Sequence, residues 1–215
     1  MAYTDSLRSR SPPARIDLIG RARKSAPYIV FVEEAGFMLA PLKSYDPAVM
    51  ILLKQLQLGP MRNFVYLIGD DEAKECAVVD PAWDVPAILS AVSQAGLRLT
   101  HALLSHHHHD HTNGIGALLK ARDIPVHVHE KDAPKVAAAA GGNLRPTRAG
   151  DRVAMGGLQV EFLHTPGHTE GSQCFHVEDR LVTGDTLFIG GCGRVDMPDS
   201  DPEKMYRSLK ALGGL

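Results

Sequence analysis

The chain has 215 residues, 44% hydrophobic and 22% charged, with a net charge of −2. That length suits one large domain, or a domain plus an arm, with a core of ordinary size. The near-neutral charge excludes a nucleic-acid footprint, and Gly59 and Pro60 interrupt the longest apolar run well short of a membrane span.

In chain order, residues 1–26 carry six Arg/Lys against two Asp, with Pro12-Pro13, and read as a flexible arm. Asp5 and Asp17 and the lack of a following apolar stretch argue against a targeting peptide. Residues 28–32 suit a short strand. Residues 1–47 are therefore set apart as an N-terminal extension and 48–215 as the folded domain. Residues 52–58 half-alternate like a strand, with a helix as the alternative. Residues 63–70 and 75–80 read as two strands around an Asp70-Asp71-Glu72 turn. Asp84 caps a helix that reaches Ala95 and stops at Gly96. A buried strand to Leu104 follows, then a loop, then a helix from Gly114 to about Ala121. Residues 125–129 form a short strand. Gly156-Gly157 marks one hairpin, flanked by Val153 and residues 158–163. Residues 173–177 and 181–183 form another. Ser200, with Glu203 three places on, reads as a capping box for a last helix that ends at Gly213. Clustered strands followed by alternating strands and helices suit two sheets packed face to face with helices outside.

The loop after the strand at 99–104 is Ser105-His106-His107-His108-His109-Asp110-His111, five imidazoles and a carboxylate in six consecutive positions. Imidazole and carboxylate build Zn²⁺ and Fe²⁺ sites. A strand-to-helix loop aims several such groups at one point. A purification tag is excluded by the internal position. Three widely spaced cysteines make neither a disulfide framework nor a Cys-x-x-Cys metal pair, and they fit a reduced, cytoplasmic setting. Cys76 and Cys174 lie in strand-like runs and read as core. Cys192, near the candidate site, is assigned a packing role. His101 and His176 read as structural, and His127 and His129 as packed or surface residues. His164 reads as core or as a support for the site.

The spacing His106-x-His108-x-Asp110-His111 resembles the signature of the metallo-β-lactamase superfamily. Three further motifs match in order: Val78-Val79-Asp80-Pro81, Thr165-Pro-Gly-His168-Thr-Glu-Gly-Ser172 and Thr183-Gly-Asp185-Thr-Leu-Phe188. The resemblance covers roughly residues 48–212. It implies an αββα sandwich, an α/β fold with metals at one sheet edge. It further implies one metal on His106, His108 and His168, a second on Asp110 and His111, and Asp185 between them. Asp80 would orient a ligand. His107 and His109 fill the intervening positions and are not ligands. Zn²⁺, as one or two ions, is the expected cofactor, with Fe²⁺ the alternative. The implied chemistry is a metal-bound hydroxide attacking a thioester or related acyl bond of a small molecule, with Asp110 in the catalytic set.

Gly191-Cys-Gly-Arg194-Val-Asp196 is similar to segments in glyoxalase II-type thioesterases and persulfide dioxygenases. There a basic side chain faces a glutathione-type carboxylate, so Arg194 is the substrate-binding candidate. The alternatives to the hydrolase are an iron-dependent persulfide dioxygenase using His106, His168 and Asp185, and a truncated, non-catalytic metal-binding paralogue. The resemblance implies a further strand and a Gly-His segment beyond Leu215. The expectation is thus a sheet short of its last strand, with an edge that a homodimer could cover.

Overall fold

The computed structural model describes residues 51–215. The arm expected over residues 1–26 and the strand expected at 28–32 lie outside them. No helix among the described residues is long and apolar enough to cross a membrane.

The first sheet takes its strands in chain order: β1 (Ile51–Leu58), β2 (Asn63–Asp70), β3 (Glu75–Val79), β4 (Arg98–Leu103), β5 (Val126–His129) and β6 (Leu144–Thr147). β1 to β3 pair antiparallel, and β3 to β6 run parallel. Parallel neighbours need crossovers. Here these are α1 (Val85–Gln94), the pair α2 (His109–Thr112) and α3 (Ile115–Ala121), and α4 (Ala133–Ala140). The second sheet is antiparallel, in the order β10 (Arg180–Val182), β9 (Gln173–Val177), β8 (Leu158–His164), β7 (Arg152–Met155). A last helix, α5 (Pro202–Leu212), follows.

Side-chain direction separates the layers. Val65 and Leu67 of β2, and Cys76 and Val78 of β3, face α1, α3 and α4. Their neighbours Tyr66, Ile68, Ala77 and Val79 face the second sheet, against Val160, Phe162 and Phe175. Both faces of these strands are covered, which is why they read as continuous apolar runs. β8 shows the other pattern: Leu158, Val160 and Phe162 are buried while Gln159 is exposed. On the far side Leu212 of α5 packs with Cys174 and Leu181. The layers run helices, sheet, sheet, helix: an αββα sandwich.

The end of the expected histidine loop is helical, as α2, and two elements lie where the sequence reading placed nothing, α4 and β6. Alanines favour α4, and Pro134 sits in its first turn where no N–H is needed. β6 carries Arg145 and Pro146 and pairs on only one side, so it lacks a buried-strand pattern. A further difference concerns α5. Its cap is Asp201 rather than Ser200: the Asp201 carboxylate accepts from the N–H groups of Glu203 and Lys204, both at 2.9 Å. Ser200 Oγ instead accepts from Met197 N–H at 2.9 Å.

Candidate metal centre

The segments rich in metal-type ligands meet at one edge of the sandwich, beyond the C-terminal ends of β3 and β4. Asp80 follows β3 with a left-handed φ of +52°, and its N–H donates to Leu103 O at 2.9 Å. That link fixes it beside the start of the histidine loop. Its side chain then organises the loop: Oδ1 accepts from Ser105 N–H at 2.7 Å, and Oδ2 from Ser105 Oγ at 2.6 Å. Asp185 arrives on the 3₁₀ turn Gly184–Thr186, and His168 on the turn after β8. Gly193 lets the chain close over both: a Cβ there would lie 2.0 Å from Asp185 O and 3.0 Å from His168 Nδ1.

The partners of each imidazole define which nitrogen faces the centre. A hydroxyl has one proton, and that of Ser105 goes to Asp80. Ser105 Oγ therefore accepts from His106 Nδ1–H at 2.9 Å. His106 Nε2 keeps its lone pair, wholly buried and without a hydrogen-bond partner. His168 Nδ1 donates to Arg194 O at 2.8 Å, which leaves Nε2 free as an acceptor. This Nε2 lies 3.0 Å from His108 Nδ1. The ligand atoms of His106, His108 and His168 all fall within 4.8 Å of one another.

A second group lies beside the first. His111 Nδ1 is 2.9 Å from Asp80 Oδ2, and its Nε2 lies 3.3 Å from Asp185 Oδ1 and 3.5 Å from Asp110 Oδ2. Asp185 spans the groups: its other oxygen is 3.3 Å from His168 Nε2. Ligands at ~2.05 Å around a tetrahedral ion lie ~3.3 Å apart. The separations here, 3.0 to 3.5 Å, match that edge length. The orphaned His106 nitrogen, the convergent lone pairs and the oxygen–nitrogen mix all fit a bound metal ion.

A family model described as the metallo-beta-lactamase superfamily matches residues 58–215. The chain belongs to the metallo-β-lactamase superfamily. It is similar to the hydroxyacylglutathione hydrolase of Shewanella halifaxensis, 38% identical over 165 residues, which are 73% of this chain and 60% of that protein. The protein of the same name from Alkalilimnicola ehrlichii is 38% identical over 71% of this chain and 57% of its own length. The chain thus spans about three fifths of these curated relatives. Among solved structures, ETHE1 from Myxococcus xanthus is 33% identical with a TM-score of 0.66, over 74% of this chain and 68% of that one. TTHA1623, solved in a di-iron-bound form, is 30% identical with a TM-score of 0.65, over 74% and 85%.

Electrostatics differ across the candidate site of this metallo-β-lactamase superfamily member. Burial and the neighbouring imidazoles push His106 well below the usual histidine range, and His108 is lowered for the same reasons. His111 moves the opposite way. Burial opposes its charge, but hydrogen bonds to Asp185 and Asp80 outweigh that and raise it well above the ordinary value. Asp185 is lowered, because His111 and the other imidazoles overcome the effect of its burial.

Other residues are placed as follows. His107 turns away to Asp132, which is 2.9 Å from Nδ1, and to Asp199, 3.2 Å from Nε2. His109 is exposed. His164 stacks on His129 with ring centres 3.9 Å apart, and His127 stacks on Phe162. His101 lies 5.4 Å from His127. Cys76 and Cys174 are buried, and Cys192 is exposed, so the packing role assigned to Cys192 is corrected. It follows Gly190 and Gly191, where an added Cβ would meet nothing within 4 Å among the described residues. The Arg194 guanidinium is exposed and forked onto Asp196, at 2.9 and 3.0 Å. It is the Arg194 carbonyl that reaches into the site.

Sequence reasoning passed over Ser105, Asp132 and Asn63. Asp132 is nearly wholly buried. Its carboxylate accepts from His107 N–H at 3.0 Å, Thr169 Oγ at 2.8 Å and Gly171 N–H at 2.9 Å. It joins the histidine loop to the His168 turn. Burial alone would raise its carboxyl, but the His107 imidazole, then Thr169 and the Gly171 N–H, hold it below the usual range. A lone acidic residue after a strand gives no sign of such a role.

Proposed function

We propose that this domain is a metal-dependent hydrolase of the hydroxyacylglutathione hydrolase type, cleaving a thioester or related acyl bond. The observation that carries this is the convergence of two ligand groups on one carboxylate, Asp185. His106, His108 and His168 would hold one ion, and Asp110, His111 and Asp185 a second, with Zn²⁺ the ion whose ligand chemistry fits best. When bound, the metal supplies Lewis acidity and a water acidic enough to attack near neutral pH. The chain's own residues do the rest. Ser105, Asp80 and the Arg194 carbonyl fix the tautomers of His106, His111 and His168, so that lone pairs face inward. Asp185 neutralises charge between the two positions. Asp110 would be the group that takes a proton from the attacking water. Arg194, on the neighbouring rim, would exchange Asp196 for a substrate carboxylate, which a guanidinium binds through two parallel bonds. Three unpaired cysteines fit a cytoplasmic setting.

One observation favours a second reading. The Cys192-Gly-Arg194-x-Asp196 segment with its forked ion pair, together with the similarity to ETHE1, suits an iron-dependent persulfide dioxygenase. There His106, His168 and Asp185 would form a two-histidine, one-carboxylate set with open positions.

The test loads the purified chain with Zn²⁺ or with Fe²⁺ and counts metal per chain. Thiol release from 2-hydroxyacyl thioesters of glutathione and oxygen uptake with glutathione persulfide are then measured. Thiol release by the zinc form is the expected result. Oxygen uptake by the iron form, with no hydrolysis of thioesters, lactones or β-lactams by the zinc form, overturns it.

A further inference from the structure

The second metal position has a neighbour that lies in none of the four motifs. Asn63 opens β2, and its amide nitrogen lies 2.8 Å from Asp110 Oδ2 and 3.3 Å from His111 Nε2. Its amide oxygen accepts from the indole N–H of Trp83 at 3.1 Å. An indole nitrogen only donates. That bond therefore decides which end of the Asn63 amide faces the centre: the oxygen turns to Trp83 and the NH₂ group to Asp110. Trp83 is itself tightly placed. Its backbone N–H donates to Asn113 Oδ1 at 2.6 Å, and its φ is +64°. Its ring lies on Gly59 in the β1–β2 turn, where a Cβ would come within 2.3 Å of the indole.

We propose that Trp83 and Asn63 are a positioning pair for the second metal position. The indole locks the amide, the amide NH₂ holds one oxygen of Asp110, and the carboxylate is thereby set toward the ion. An amide free to turn would alternately offer Asp110 its NH₂ and its oxygen, and the oxygen repels a carboxylate. The pair sets how tightly the second ion is held relative to the first. The inference rests on the assignment of Asp110, His111 and Asp185 to a second ion. It needs no particular substrate. None of the hydrogen bonds of the pair reaches His106, His108 or His168.

The experiment measures both stepwise affinities of the full chain for Zn²⁺ by chelator competition. The proteins are the parent, Trp83→Phe, Asn63→Leu and the double variant. Trp83→Phe keeps an aromatic ring at this position and removes the N–H donor together with the rest of the indole's second ring. Loss of a group that orients a ligand typically weakens metal binding about 10–100-fold. The expected result is a weakening of the second ion by about tenfold or more in each single variant, with the first ion within about twofold. The double variant should be no worse than Asn63→Leu, because both changes break one chain of contacts. Four results overturn the proposal: only one ion bound by the parent, an unchanged second affinity, both affinities falling together, or additive effects. Should Trp83→Phe fail to fold, the same selective loss in Asn63→Leu decides it, with an equal or absent loss overturning it. No turnover is read, so a failed hydrolase reading, in which the zinc-loaded chain releases no thiol, is distinguishable from failure here.

Discussion

Two groups of histidines lie in this molecule, one on the loops at the sheet edge and one on the strands between the sheets. Each loop histidine of the centre whose tautomer is fixed has one ring nitrogen tied to an oxygen: His106 to Ser105, His111 to Asp80, His168 to the Arg194 carbonyl. The other nitrogen turns inward. The strand histidines pack on rings, His129 on His164 and His127 on Phe162 and His101, while His101 and His164 each also keep an oxygen partner, Thr100 Oγ1 at 2.8 Å and Glu170 O at 2.9 Å. An oxygen partner alone does not make a ligand candidate, since His101 and His107 have one too; what marks the loop group is that the other nitrogen of each ring converges with its neighbours at the sheet edge. Proximity in sequence does not sort them, since His107 is next to both His106 and His108 yet turns to Asp132.

The largest effect should come from breaking the loop group. His168→Ala removes a nitrogen that faces both His108 and Asp185. Hydrolysis should fall at least about 10³-fold, in line with the weight of a metal's charge stabilisation, and zinc per chain should drop by at least one. Assay and elemental analysis read both. Full activity with unchanged zinc would remove His168 from the centre.

Asp80→Asn comes next, since it tests orientation rather than ligation. The amide keeps one acceptor oxygen: turned to Ser105 Oγ and His111 it sets its NH₂ against the Ser105 N–H, and turned to that N–H it faces Ser105 Oγ and His111 with its NH₂. Metal affinity should fall about 10–100-fold. The loss of a buried hydrogen bond should also cost about 1–3 kcal/mol of stability. Chelator competition and thermal unfolding measure the two. An effect on stability without one on affinity would reduce Asp80 to a structural residue.

Arg194→Ala separates the backbone of the loop group from its side chains. The carbonyl that fixes His168 remains, so metal content should not change. The Arg194–Asp196 pair is exposed and screened by solvent, so stability should barely move. If the guanidinium receives a substrate carboxylate, KM for a glutathione thioester should rise about tenfold while kcat holds. An unchanged KM would leave Arg194 as a backbone contributor alone.

How far the sequence carries this picture follows the same division. The ligand candidates are legible because their residue types and spacing are unusual, and they sit where apolar strands end. β2 and β3 are legible because both faces are buried and the apolar run is unbroken. What orients the ligands is not legible. Asp132 reaches His107, Thr169 and Gly171 from a segment 25 to 39 residues away, and only the fold brings them together. Asn63 reads as the first residue of a strand, and Ser105 as a loop residue, until their partners are in place. Ser200 had the pattern of a cap, but Asp201, one place closer to Pro202, offers the carboxylate that reaches two N–H groups.

The smallest effect concerns the strand group, and it depends on pH. His129 is almost wholly buried, and burial together with the neighbouring His164 brings it down to about 4. Its Nδ1 accepts from Lys131 N–H at 3.3 Å, a bond that only the neutral ring can make. In the unfolded chain the same imidazole titrates at about 6.5. Between those values the unfolded state binds a proton that the folded state refuses. Stability is therefore complete above about pH 6.5 and declines as the pH falls toward 4. At pH 5 the deficit from this one residue is about 2 kcal/mol, at 1.36 kcal/mol per unit of pKa difference. His129→Phe keeps a flat ring against His164 and removes the proton site. Metal-free parent and variant should then differ in the slope of Tm between pH 7 and 5, the variant being flatter. His127, also lowered to about 4 by burial, keeps some slope in both. Equal slopes would mean that His129 takes up its proton inside the fold as readily as outside it, and the contrast between the strand group and the loop group would fail at that residue.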